Sequence, residues 1–445
     1  MTLKSTYINH FIGCPDCDML LPCAIVPGGY SGICPRCGKT LCKKTPDSIT
    51  KTLALALTGL FIYIPAITLP LLTLQSFGFS GSANILESVL NFYQNNYYFV
   101  AAMVLISAVI FPFMLLICIC ITSLLLYLKR FPPFIAHLFR IYIHLEEWAM
   151  VEVYLLGILI TIIKMGDSSD IQYNPGIFVF AGLVLINLAI ATIIDKNLFW
   201  QLIENKSSFK HPTPSPPPDS QLHGIITTAR NQGLILCHIC HKLAPLSHEG
   251  TKCLRCGEPL HSRKPHAIPR TWALILTSTI FFLPANILPI MEVDFLGLPD
   301  RSTIMDGIIY FVHSGSYFIG IIIFTASILV PIFKIVGLAI ILTTRRPCGK
   351  FALQQKTRLF RFIAFIGRWS MLDIFVISQL TVLVDFGFLT SIHTAPAATY
   401  FCFVVISTML ATITFDPRIM WDRCSPCNQT LPLHFAHSKH HEKRA

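Results

Sequence analysis

The sequence predicts an all-α polytopic membrane protein made of two homologous four-helix transmembrane halves, each preceded by a small cytoplasmic zinc ribbon. Three observations carry this expectation. Long uncharged apolar runs recur along the chain, the second part of the chain repeats the first, and a four-cysteine set precedes each group of runs. Charged residues make up only 13% of the 445 residues, against about 25% in a soluble domain. Several runs exceed the roughly 18 apolar residues that mark a spanning helix, so a soluble enzyme is a poor reading from the outset. The first residues lack a basic region followed by an apolar core, so no secretory signal is expected and the first span should bring the chain into the membrane.

The repeat is legible residue by residue. Cys34 and Cys37 match Cys253 and Cys256 at an offset of 219, which also carries Pro65, Ala66, Leu69 and Pro70 onto Pro284, Ala285, Leu288 and Pro289. It places Glu87 on Asp306 and Pro112 on Pro331. At an offset of 221, Phe139 and Arg140 fall on Phe360 and Arg361, Trp148 on Trp369, Glu152 on Asp373, Asp195 on Asp416 and Trp200 on Trp421. So many matches at nearly constant offset imply duplication.

Six segments follow: an N-terminal ribbon at 1–50, a first transmembrane half at 51–205, a Pro/Ser-rich linker at 206–230, a second ribbon at 231–265, a second transmembrane half at 266–423, and a Cys/His-rich tail at 424–445. Spans are expected near 52–74, 97–128, 148–165 and 175–195, and again near 271–291, 316–344, 369–389 and 396–415. The paired prolines Pro65/Pro70 and Pro284/Pro289 should kink or end the first span of each half. Ile85–Tyr93 and Ile304–Val312 are amphipathic and too short to cross, so they should lie at an interface or re-enter the bundle. The loops joining the second and third spans are basic, with Lys129, Arg130 and Arg140 in one half and Arg345, Arg346, Arg358 and Arg361 among others in the second. The opposite loops carry Asp167, Asp170, Glu292, Asp294 and Asp300. By the positive-inside rule, ribbons, linker and both termini are expected in the cytoplasm. The net charge of +11 therefore belongs to membrane edges, and no nucleic-acid partner is expected.

Of sixteen cysteines, Cys14, Cys17, Cys34 and Cys37 form one CxxC…CxxC set, and Cys237, Cys240, Cys253 and Cys256 form another. Each CxxC turn aims two sulfurs at one point, and two turns complete the tetrahedron that Zn2+ prefers. A closed four-sulfur site leaves no position for substrate, so its expected role is structural, with metal binding contributing to folding. Thioredoxin-type chemistry would need a βαβ context that is absent. Cys424 and Cys427, close to His434, His437, His440 and His441, are a candidate third zinc site without a repeat counterpart; the alternative is a reduced, solvated tail.

Lys334 lies inside the sixth span, where an ionised amine is costly unless it is paired or hydrated. Ser327 sits seven residues earlier, on the same helical face, and Asp373 in the seventh span is the expected partner. The first half keeps the acid as Glu152 but has Leu115 in place of the lysine. This asymmetry suggests a polar pathway in the second half; the alternative is an ion pair that glues two helices, or a snorkelling lysine. Asp195/Asp416 and Glu87/Asp306 read equally as caps or anchors. No G-x-x-x-x-G-K-[ST] loop is present, and no nucleophile–base set or open metal site suggests an enzyme.

The two ribbons, the repeated P-A-x-x-L-P turn, the Trp148–Tyr154 and Trp369–Phe375 elements and the closing Asp–Trp pairs together resemble the paraquat-inducible protein A family, from about Cys14 to Trp421. The resemblance implies a bacterial inner-membrane protein that works with a periplasmic tunnel partner bearing mammalian-cell-entry (MCE) domains, moving phospholipid between membranes and supporting envelope integrity. It also implies that Ser327, Lys334 and Asp373 line the lipid route. A membrane sensor reporting metal or redox stress through its zinc ribbons is the competing reading.

Overall fold

The computed structural model describes residues 11–22, 30–43, 45–76, 79–165, 170–206, 228–295, 298–313, 315, 317–344, 350–384, 390–422 and 437–439. The Pro/Ser-rich linker up to residue 227 and the Cys424–Cys427 pair lie outside them.

The chain opens with β1 (Phe11–Gly13) paired to β2 (Leu20–Pro22), then β3 (Tyr30–Ile33) paired to β4 (Thr40–Lys43). The first half follows. Helix α1 (Ser48–Thr68) leads to a hairpin of β5 (Leu72–Ser76) and β6 (Phe79–Ala83), then to α2 (Ile85–Gln94) and the long α3 (Tyr98–Tyr127). Next come α4 (Ile135–Glu146), α5 (Val151–Met165), β7 (Asp170–Tyr173), α6 (Pro175–Ile193) and α7 (Lys196–Lys206). The second ribbon contributes β8 (Leu234–Leu236) and β9 (Leu243–Pro245). The second half then repeats the order with α8 (Ala267–Ile287), β10 (Met291–Phe295), β11 (Leu298–Ser302), α9 (Ile304–His313), α10 (Tyr317–Thr343), α11 (Lys350–Ile366), α12 (Leu372–Leu383), β12 (Thr390–Thr394), α13 (Ala397–Thr414) and α14 (Arg418–Asp422). A last short strand, β13 (His437–Lys439), pairs with β3.

Among the described residues six helices, α1, α3, α6, α8, α10 and α13, are long and apolar enough to cross a membrane. The expected third spans contain shorter helices: α5 has 15 residues and α12 has 12. At 1.5 Å per residue these reach only about 22 and 18 Å, short of the roughly 30 Å of a hydrocarbon core. Yet each of these segments runs from the ribbon end of the bundle to a strand at the opposite end, because β7 pairs with β5 and β12 with β10.

Those two three-stranded antiparallel sheets, ordered β6-β5-β7 and β11-β10-β12, were not expected from the sequence. They correct the first span: α1 stops at Thr68 and residues from Leu72 are strand, not helix. The cause is local. Leu69 and Leu288 precede prolines, which disfavours the helical region, and both are extended, at ψ 143° and 154°. Pro65 and Pro284 remain inside their helices. The start of α6 closes against this turn so tightly that a Cβ on Gly176 would stand 2.3 Å from the Pro70 carbonyl oxygen.

Prolines act again in the long helices. Pro112 and Pro331 lack the N–H that would bond the carbonyl four residues back, and π turns span Leu105–Ile110 and Thr325–Leu329 just ahead of them. Three of the four repeat-equivalent acids are caps, and the fourth, Asp416, is an ionic partner of Arg418. Glu87 completes a capping box with Asn84, Asp306 does so with Thr303, and Asp195 accepts from the Leu198 amide.

The halves meet along α5 and α12. Tyr154 and Phe375, which are repeat equivalents, make an edge-on ring contact at 5.1 Å, and Gly157 lets the Phe375 backbone approach. Each ribbon touches its own half and also docks beneath the half that belongs to the other. The first ribbon packs on α11 and α14, where Trp421 lies under the Arg36 guanidinium at 4.5 Å. The second packs on α4 and α7, through Arg140–Glu258, Lys242–Glu204 and Arg255–Glu204 ion pairs. The ribbons also touch each other, with a Met19–Thr228 bridge and Gly13 against Leu236 and Leu243.

Replacing Gly176 by alanine forces backbone apart, so Gly176→Ala should destabilise by about 1–3 kcal/mol. A lower thermal midpoint of the detergent-purified protein would register it, whereas Gly182→Ala, which meets open space, should leave the midpoint unchanged.

Candidate functional site

The sequence-selected residues fall into two places. The first is a cleft lined mostly by the second half and closed on one side by α5 of the first, between α5, α9, α10, α12 and the start of β10, with about 570 Å³ of empty space including its mouth. Its wall is apolar, with Ile160, Ile304, Phe311, Ile323, Val376 and Ile377 among the lining side chains, and its polar exceptions are Thr303, Ser327 and Asp373. That is the usual make-up of a small-molecule site, an apolar wall with a few placed polar groups.

The equivalent elements of the first half are packed differently. In the first half α2 closes directly on α12: Asn91 donates to the Thr381 carbonyl at 3.4 Å, and Ser88 and Phe92 are fully buried. Gln379 of α12 reaches across to donate to the Tyr154 hydroxyl. In the second half the residue equivalent to Ser88 is Gly307, which meets nothing within 4 Å of a Cβ position, so α9 leaves the space open.

Ser327 is 0% exposed, within the π turn of α10, and its hydroxyl donates back to the Ile323 carbonyl at 2.7 Å. Asp373 opens α12 and lines the same cleft. Lys334 is also 0% exposed, but it is not a cleft-lining residue, and the expected partnership with Asp373 is not the one formed. Its Nζ donates to the Ser370 hydroxyl at 3.2 Å. Ser327 lies in a π turn at Thr325–Leu329, and both it and Lys334 face the segment that leads into α12, Ser327 beside Asp373 and Lys334 on Ser370. Ser370 belongs to the 3₁₀ turn Gly367–Met371 one turn before Asp373. Sequence reading missed it, although a signal existed: the first half has Leu115 and Ala149 where the second has Lys334 and Ser370. Donor and acceptor are present together or absent together.

The second place is the pair of cysteine clusters. Cys14, Cys17, Cys34 and Cys37 converge with all sulfurs within 4.8 Å, as do Cys237, Cys240, Cys253 and Cys256, and all eight are buried. Closest sulfur pairs lie at 3.4 and 3.6 Å in the first set and 3.5 and 3.7 Å in the second. Tetrahedral zinc with Zn–S near 2.3 Å has S···S edges of about 3.8 Å, so both sets fit such an ion. The knuckles share one construction. Cys14, Cys34, Cys237 and Cys253 each donate their amide to a carbonyl five residues on, and each turn passes through a left-handed residue: Asp18, Gly38, His241 and Gly257.

Beneath the second ribbon lies a buried ionic cluster. Arg418 bonds Asp416 at 3.0 Å and the His238 ring at 2.9 Å, and Arg263 bonds Asp18 and Asp422. Burial alone would raise the Asp416 carboxyl, but the Arg418 guanidinium holds it below the ordinary carboxylate range. Burial, then Arg418, push His238 down to about 3, so its ring is neutral near pH 7.

The Paraquat-inducible protein A family profile matches residues 49–204 and 268–425, one match per half. The intermembrane transport protein PqiA of Escherichia coli strain K12 is 31% identical over 413 residues, 92% of this chain and 95% of that protein. The lipophilic envelope-spanning tunnel protein A of the same strain is 30% identical, covering 92% of this chain and 90% of that protein. A probable intermembrane transport protein of Haemophilus influenzae is 29% identical over 92% of this chain and 95% of that protein. No solved structure matches the chain.

If Lys334 served mainly as glue, its loss would weaken the fold. A single hydroxyl, however, poorly offsets the burial of an amine. Lys334→Met should therefore keep or raise the thermal midpoint of the detergent-purified protein. Ser370→Ala, which orphans the amine, should cost about 1–3 kcal/mol.

Proposed function

Because the chain belongs to the paraquat-inducible protein A family, we propose that it is an inner-membrane subunit of a phospholipid transport system. It passes lipid between the inner membrane and a periplasmic tunnel partner with MCE domains, and so contributes to envelope integrity. The names of its relatives, two intermembrane transport proteins and an envelope-spanning tunnel protein for lipophiles, support the class of activity. The cleft carries the reading: an apolar wall suits acyl chains, and its few polar groups suit the glycerol and phosphate region of a lipid. In this reading Ser327 and Asp373 line the route, and Lys334 lies buried outside it, held on Ser370 one turn before Asp373.

The basic loops at the ribbon end support a cytoplasmic side for the ribbons and both termini, which leaves the two sheets as the periplasmic face. Each third segment then completes a fourth crossing with a short helix. The cysteine clusters hold structural Zn2+ and shape the cytoplasmic base; no step of transport is assigned to them, and no catalytic step to the chain.

The test is photo-crosslinking in the detergent-extracted protein, where loosely held annular lipid has been removed. A photoreactive side chain fits at Gly307 inside the cleft and at Gly182 on α6, since neither position meets an atom within 4 Å of a Cβ. Phospholipid captured at Gly307 and Ser327 well above Gly182 is the expected outcome. Equal capture at the three positions would refute a lipid site in the cleft.

A further inference from the structure

The two cysteine centres are not held alike. Beside the first, Arg361 of α11 donates Nε–H to Asp16 Oδ2 at 2.6 Å and Nη2–H to Cys37 Sγ at 3.2 Å. Around it, Gln354 donates to the Arg36 carbonyl at 2.7 Å, and Thr357 accepts from the Trp421 ring nitrogen at 3.1 Å. Gln354, Thr357 and Arg361 thus form one stripe of α11 against the first ribbon and its neighbouring helix. Beside the second centre, the equivalent Arg140 of α4 pairs with Glu258 at 3.4 Å, and no bond from it to a cysteine sulfur is formed among the described residues. Two substitutions between the repeats explain the difference. Ile239 stands where the first ribbon has Asp16, and Glu258 where it has Lys39.

Four thiolates around one divalent ion form a net anionic group, which a guanidinium stabilises by charge and by N–H···S bonding. Arg361 is the side chain placed to do this, and it belongs to the helix that runs into the Gly367–Met371 turn, where Ser370 holds Lys334. We propose that the first four-cysteine centre, when metal-loaded, is a clasp on the second half, with Arg361 as the positioning residue that fixes α11 to it and so steadies the Ser370–Lys334 contact. The second centre lacks this link. The proposal rests on reading the clusters as metal centres and not on the lipid role of the cleft.

The experiment uses the full-length protein in detergent with bound zinc counted by elemental analysis, and follows zinc transfer to a chromogenic chelator. Two ions per chain are expected. Arg361→Ala should speed the release of one of them about tenfold or more, the usual cost of losing an outer partner of a metal ligand. Arg361→Lys, which keeps the charge, should restore part of the retention, and Arg140→Ala should change neither ion. In hydrogen exchange on the zinc-loaded protein, residues 350–366 should exchange faster in Arg361→Ala, with residues 135–146 unchanged. Two bound ions with unchanged release or unchanged exchange in Arg361→Ala would overturn the clasp and leave the metal reading standing. A protein purified without metal, and unable to take up zinc, would remove both.

Discussion

A bilayer core offers no hydrogen-bonding partner, so each backbone group that crosses it must be satisfied within its own helix or by protein around it, at several kcal/mol per failure. Most of this architecture follows. Open sheet edges sit at one end of the bundle and the ribbons at the other, with helices between them. Where Pro112 and Pro331 withhold a donor, the helix widens into a π turn inside the protein rather than breaking toward lipid. The same constraint governs side chains. Lys334 is retained with Ser370 as its acceptor, and where the lysine is lost, as Leu115, the serine is lost too, as Ala149.

Duplication supplied a near-symmetric frame, and a few small changes made its halves unequal. Phe92 recurs as Phe311, but fully buried Ser88 of α2 is replaced by Gly307 of α9, which meets open space beside the cleft. The exchanged docking of the ribbons ties the two together. Each four-cysteine ribbon is covalently joined to its own half and also packed under the other, so neither half can move far without straining a ribbon.

This arrangement also accounts for Trp421 and for the arginine that recurs in both repeats as Arg140 and Arg361. Trp421 takes the Arg36 guanidinium on its ring, and Arg140 and Arg361 reach the bases of opposite ribbons. Ordinary surface ion pairs contribute little, but these are half-buried and join domains that are far apart in the chain. Their value lies in fixing orientation.

Sequence alone determined the class of the protein, its internal repeat, both cysteine centres and the family. Those features are written in composition, in constant offsets and in CxxC spacing, all of which are local or periodic. It also singled out Ser327, Lys334 and Asp373, because charge and hydroxyls stand out in apolar runs. Tertiary structure decided what those residues touch. Lys334 meets Ser370, not Asp373, because the neighbouring segment sits one turn along from where sequence pairing of charges placed it, and helical periodicity within one element does not encode how two elements are offset. The sheets were hidden because their strands, such as Leu72–Ser76, continue an apolar run that reads equally as helix, and only pairing between distant segments distinguishes the two. The ribbon exchange and the cleft were hidden for the same reason: both arise from contacts between residues hundreds of positions apart, which no local pattern encodes.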